Sequence, residues 1–249
     1  MTGDATAPVG DGAPKPLGPL ATLGWAVLAF VAGQVVGTVV VLTWFNAHAP
    51  TSLSAVRYDG ALVALVTLVT NPVIIVILAI VARLAGWSPA EYLGLTRFRL
   101  SDFATGIAAI VILIAAVDLY SYAAGLDIVS SFQTDSFTTA RNEGWLAALA
   151  LAVIVVGPAG EEILFRGFLF RGWVRPGLPG VIAIVLISLL WTALHVQYDW
   201  FGVTQVFLIG LVLGWLRWRS GSTTLTLVLH ILVNLESSIE TMVKAAWSA

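Results

Sequence analysis

Apolar residues run along this chain in long stretches, and charged residues punctuate them. Residues 16–56, for example, contain no Asp, Glu, Lys or Arg. Seven stretches, at about 20–45, 60–84, 102–125, 145–172, 179–196, 201–217 and 222–243, are apolar enough to cross a bilayer. A spanning helix needs about 20 residues. The runs are too long and continuous for the strands of a membrane barrel. The pattern therefore predicts an all-α fold, a polytopic transmembrane helical bundle of about seven spanning helices. Tryptophans 25, 44, 87, 145, 173, 200, 215 and 218 fall near the expected ends, as interfacial belts require.

The flanks and connections refine this picture. Residues 1–19, rich in Gly, Pro and Ala, read as a disordered tail. They lack the basic start of a signal peptide, so the first apolar segment is expected to remain as an anchor. The rest, 20–249, reads as a single transmembrane domain with its chemistry in about 145–243. Residues 85–101, with Trp87, Pro89, Glu91, Arg97 and Arg99, read as an interfacial amphipathic helix. Residues 126–144 form the longest polar connection; a solvated loop is the favoured reading there, ahead of a lid or substrate contact. With the N-terminus inside, the inner segments hold eight of the Lys and Arg residues (Lys15, Arg83, Arg97, Arg99, Arg171, Arg175, Arg217, Arg219) and the outer ones three (Arg57, Arg141, Lys244). That bias favours a cytoplasmic N-terminus in the cell membrane.

Composition narrows the function classes. The chain of 249 residues is 59% hydrophobic and 10% charged, with mean hydropathy +0.94, whereas soluble domains carry about 25% charged residues. A net charge of -2 without a basic stripe argues against a nucleic-acid partner. The absence of cysteine removes thiol nucleophiles and thiolate metal ligands. The absence of an internal repeat weakens a transporter reading.

Three polar islands interrupt the later apolar runs: Glu161-Glu162…Arg166, Trp191…His195 and His230…Asn234. Ionisable groups in hydrocarbon cost several kcal/mol and are seldom there without a function. Glu161 and Glu162 are adjacent, so on a helix they point about 100° apart. Arg166 shares a face with Glu162; the two read as a supporting ion pair, leaving Glu161 as the reactive carboxylate. Gly157-Pro158-Ala159-Gly160 precedes the pair, and proline there is expected to break the helix and open a pocket. His195 is suited to positioning or deprotonating water, and Trp191, on the same face, reads as a wall of the site. His230 and Asn234 share a face, and paired donors suit an oxyanion; an interhelical clamp is the plainer alternative. Gln34, Asn71 and Gln205 read as packing contacts, and His48 as a loop residue beside Pro50.

His-Glu-x-x-His and Gly-x-Ser-x-Gly signatures are absent. The motifs present resemble those of the CAAX prenyl protease and bacteriocin-processing family (CPBP, or abortive-infection family): Glu-Glu-x-x-x-Arg, Phe-x-x-x-His and His-x-x-x-Asn/Asp on successive core helices. Here they are Glu161-Glu162…Arg166, Trp191…His195 and His230…Asn234, in order, within about 145–235. Trp191 stands where phenylalanine is usual. The resemblance implies an intramembrane endopeptidase acting on a membrane-associated peptide or protein: Glu161 and His195 activate a water, His230 and Asn234 hold the oxyanion, and Glu162, Arg166 and Trp191 support the site. No cofactor is favoured. The alternative is a divalent metal, Zn, on Glu161, His195 and His230. A non-catalytic scaffold or immunity protein of the same fold, and a proton-coupled transporter, are the competing readings.

One geometric conflict arises. If the fifth and seventh spans start at one face, His195 lies about 24 Å deep and His230 only about 10 Å, at the helical rise.

Overall fold

The computed structural model describes residues 14–48, 56, 58–174 and 179–247. Most of the expected tail lies outside these, as do Arg57 and Arg175. Among the described residues nine helices follow in order: α1 (Pro19–His48), α2 (Gly60–Leu84), α3 (Pro89–Tyr92), α4 (Leu100–Ala124), α5 (Ser131–Glu143), α6 (Leu146–Trp173), α7 (Gly180–Thr192), α8 (Trp200–Ser220) and α9 (Thr223–Trp247). Six of them (α1, α2, α4, α6, α8 and α9) are long and apolar enough to cross a membrane. The protein is a multi-pass helical membrane protein.

The fifth expected span, α7, has 13 residues, about 20 Å at the helical rise and too short for a hydrocarbon core of about 30 Å. It stops at Thr192 rather than 196. The cause is local: Nδ1–H of His195 donates to the Trp191 carbonyl at 2.9 Å, while the His195 amide turns to Thr192. A side chain thus takes a carbonyl that the next helical turn would have used.

Two connections also differ from expectation. The helix within 85–101 is a single turn, α3, and Tyr92 and Leu93 beside it are buried rather than spread on an interface. Thr223 fastens this turn by donating to the Leu93 carbonyl at 2.6 Å. Residues 126–144 are not a solvated loop: 131–143 is the helix α5. Ser130 caps it, and Gln133 bonds back to the Ser130 amide. Such a reciprocal box satisfies amides at a helix start. Glycines 125 and 144, both with positive φ, close the ends of α4 and α5. His48 is the last residue of α1, stacked on Trp44, instead of a loop residue.

α6 is the axle of the bundle. Its stretch Ile163–Phe170 is buried throughout, walled by α1, α2, α3 and α7 through Ala29, Leu78, Tyr92 and Ile187. A second core joins Ile110 of α4 to Leu213 and Leu216 of α8 and to Leu225 and Leu229 of α9. Close approach needs missing side chains. A Cβ on Gly160 would strike the Asn71 side chain of α2, and one on Gly106 the Leu229 side chain. α1 turns Val27, Val31, Val35 and Val39 outward, the apolar exterior that lipid solvates.

Candidate active site

The site begins with irregularity in α6. Residues Leu151–Val156 and Ile163–Leu169 are π-helical, and they flank an α-helical turn, Gly157–Glu162. Wide turns of this kind concentrate at functional sites. The Gly157 amide bonds the Ala152 carbonyl five residues back. In that register the Val153 carbonyl would pair with the nitrogen of Pro158, which has no hydrogen. Asn234 of α9 repairs the gap, its Nδ2 donating to Val153 O at 2.7 Å. The proline break is thus held open by an amide from another helix.

The two glutamates part as adjacent helical residues must. Glu162 is fully buried; its Oε1 accepts from Arg166 Nη1 at 3.0 Å and from His230 Nδ1 at 3.0 Å. Arg166, also fully buried, donates Nη2 to the Gly210 carbonyl of α8. Glu161 faces a cavity with 31% of its side chain exposed. The indole N–H of Trp191 donates to its Oε2 at 2.6 Å, and His230 Nε2 lies 4.0 Å from the same oxygen.

Trp191 gathers the rest. The ring of His195 meets it edge-on at 5.0 Å, that of His230 at 5.3 Å, and the Arg166 guanidinium lies over its face at 4.3 Å. The two histidines expected at different depths nevertheless meet: His195, just past the end of α7, and His230 on α9 both touch the Trp191 ring. Glu161, Trp191, His195, His230 and Asn234 all line one cavity of about 530 Å³. A smaller one of about 250 Å³ reaches Glu161, Trp191 and His195 from the side of Phe30, Ile74 and Phe165. Because His195 gives Nδ1–H to a carbonyl, its Nε2 carries a lone pair when the ring is neutral. Among the described residues no three His, Cys, Asp or Glu form a group that could hold a metal ion. Glu161, His195 and His230, the residues of the metal alternative, line the same cavity without forming such a group.

Several participants escaped the sequence reading. Buried Arg217 donates Nε to the Arg166 carbonyl at 2.9 Å and lies over the Phe170 ring, tying α8 to the π-helical turn. Residues 127–133 line the large cavity. They are held to α9 by Gln133–Ser237 at 2.7 Å and by Lys244, which donates to Asp127 at 2.8 Å and to the Val129 carbonyl at 2.9 Å. Ser130-x-x-Gln133 is a legible helix-start signal; nothing local announces Arg217.

The fold and site define a multi-pass helical membrane protein with a carboxylate, two histidines and an arginine gathered inside its bundle. Residues 143–235 match the model of the Rce1-like family, type II CAAX prenyl endopeptidase. That stretch contains every one of the six polar residues of the islands. An Escherichia coli protein described as an uncharacterized 24.3 kDa protein is 34% identical over 85 residues, which are 32% of this chain and 38% of that protein. The chain thus spans well under half the length of that curated relative. No solved structure matches the chain.

Proposed function

We propose that the protein is an intramembrane endopeptidase of the CAAX prenyl and CPBP type, hydrolysing a peptide bond near the membrane by metal-free, carboxylate-assisted attack of water. The observation that carries this reading is the Glu161 carboxylate: it is aimed into the cavity beside His195 while its neighbour Glu162 is locked in the interior. Such a division separates a reactive carboxylate from a supporting one.

In the proposed cycle Glu161, with the His195 lone pair, takes a proton from a cavity water as its oxygen attacks the peptide carbon. The C–N bond then breaks, and the proton passes to the leaving amine. His230 gives Nδ1–H to Glu162; its Nε2 carries a hydrogen only in the charged form. In that form, between two carboxylates, it faces the developing oxyanion. Asn234 keeps one amide hydrogen on Val153 and has a second to offer. The Lys/Arg bias supports a cytoplasmic N-terminus.

The test compares fragments of membrane proteins in cells carrying wild type and Glu161→Gln, with N-terminal labelling of new ends. The expected result is a set of ends present only with wild type, unaffected by chelator on purified protein. Full cleavage by a folded Glu161→Gln variant would sink the mechanism, and loss of cleavage on chelation would restore the metal alternative.

A further inference from the structure

Trp191 does more than wall the cavity. Its indole N–H lies 2.6 Å from Glu161 Oε2, and the Arg166 guanidinium sits over the ring of the same side chain, 4.3 Å from its centroid. A cation over an aromatic face draws electron density from the ring and makes the N–H a stronger donor. Trp191 is itself only 2% exposed and is clamped by the edges of two histidine rings, so the N–H has one direction. Among the described residues Glu161 Oε1 accepts no hydrogen bond; it lies on the Gly157 side, near the Thr67 methyl group.

We infer that Trp191 is a positioning residue: its indole N–H, polarised by Arg166, fixes one oxygen of Glu161 and turns the other to the water. The inference rests on the protease reading for its kinetic consequence, but its geometric content stands apart. A phenylalanine at this position fills much of the same space and offers no donor, so the Glu161 carboxylate would lose its fixed rotation. Hydrogen bonds to charged groups are the strong ones, and misplacement of a reacting group by about 1 Å costs about 100-fold.

The decisive measurement is the indole ¹H–¹⁵N spectrum of the full chain in micelles, labelled at tryptophan. Its 10 tryptophans are distinguished by Trp191→Phe, which deletes one signal. That signal is expected far downfield, and Glu161→Gln and Glu161→Leu should each move it upfield with the other signals in place. A Trp191 signal indifferent to both substitutions overturns the inference. Trp191→benzothienylalanine, which keeps the bicyclic shape and replaces N–H with sulfur, supplies the second arm. With a quenched CAAX peptide as probe, kcat should fall about 10- to 100-fold, the worth of one charged hydrogen bond, at little-changed KM. Undiminished kcat in that isostere would also overturn it. Failure of wild type to cut the peptide would count against this peptide as substrate, and the spectrum would still decide the role of Trp191.

Discussion

Glu162→Leu removes the acceptor that Arg166 and His230 share. In the native protein Glu162 Oε1 takes both donors at 3.0 Å, with neither Glu162 nor Arg166 exposed at all. After the substitution the guanidinium keeps one hydrogen bond, to the Gly210 carbonyl at 3.3 Å, beside its contact with the Trp191 ring, and remains enclosed. Breaking a buried pair by removing one partner costs about 3–5 kcal/mol, because the other charge is stranded. For a chain of this size 1 kcal/mol moves Tm by about 2–4 °C, so the expected loss is about 6–20 °C. The assay is thermal unfolding in a fixed detergent, followed by tryptophan emission. Arg166→Met combined with Glu162→Leu removes both charges at similar volume and should recover much of the loss, since apolar replacement of a whole buried pair is often neutral or better. A Glu162→Leu variant within about 1 kcal/mol of wild type would refute the stranded-charge argument. So would a double variant whose loss equals or exceeds the sum of the two single losses, because the two charges would then show no favourable coupling.

Asn234→Leu should cost about 1–3 kcal/mol by orphaning the Val153 carbonyl. Adding Pro158→Ala, which restores a backbone hydrogen to α6, should raise Tm relative to Asn234→Leu alone; no rescue would mean that Asn234 is not compensating for the proline. Lys244→Ala removes an exposed tie to Asp127 and should change global stability by less than about 1 kcal/mol. It should nevertheless raise amide exchange across 127–133, and unchanged protection there would show that Lys244 does not hold this segment to α9.

Much of the fold was legible because lipid imposes a length and a composition on every span. α2 runs over 60–84 as the apolar pattern predicts, and α6 and α9 start within a residue of expectation. What escaped was decided by single side chains. α7 ends early because a histidine ring takes a carbonyl. α5 escaped because its sequence is polar and carries no apolar run to announce it, although Ser130 and Gln133 mark its start. The six polar residues were visible as islands, and the separation of Glu161 from Glu162 follows from helical geometry alone. The meeting of His195 and His230 on Trp191 depends on tertiary contacts between α7 and α9, which no local pattern encodes. Trp191 was read as bulk, whereas its one polar atom makes the shortest contact to Glu161.

The repair of Val153 by Asn234 also orders events in time. These residues are 81 positions apart, and the Glu162–His230 bond spans 68. During synthesis α6 enters the bilayer with the Val153 carbonyl unpaired and Glu162 bonded to Arg166 alone, and no segment made by then supplies Asn234 or His230. Only the arrival of α9 closes both. A newly inserted chain therefore passes through an incomplete stage in which Glu161 is present but its surroundings are not, and the cavity that Glu161 faces comes together as a late step of biogenesis.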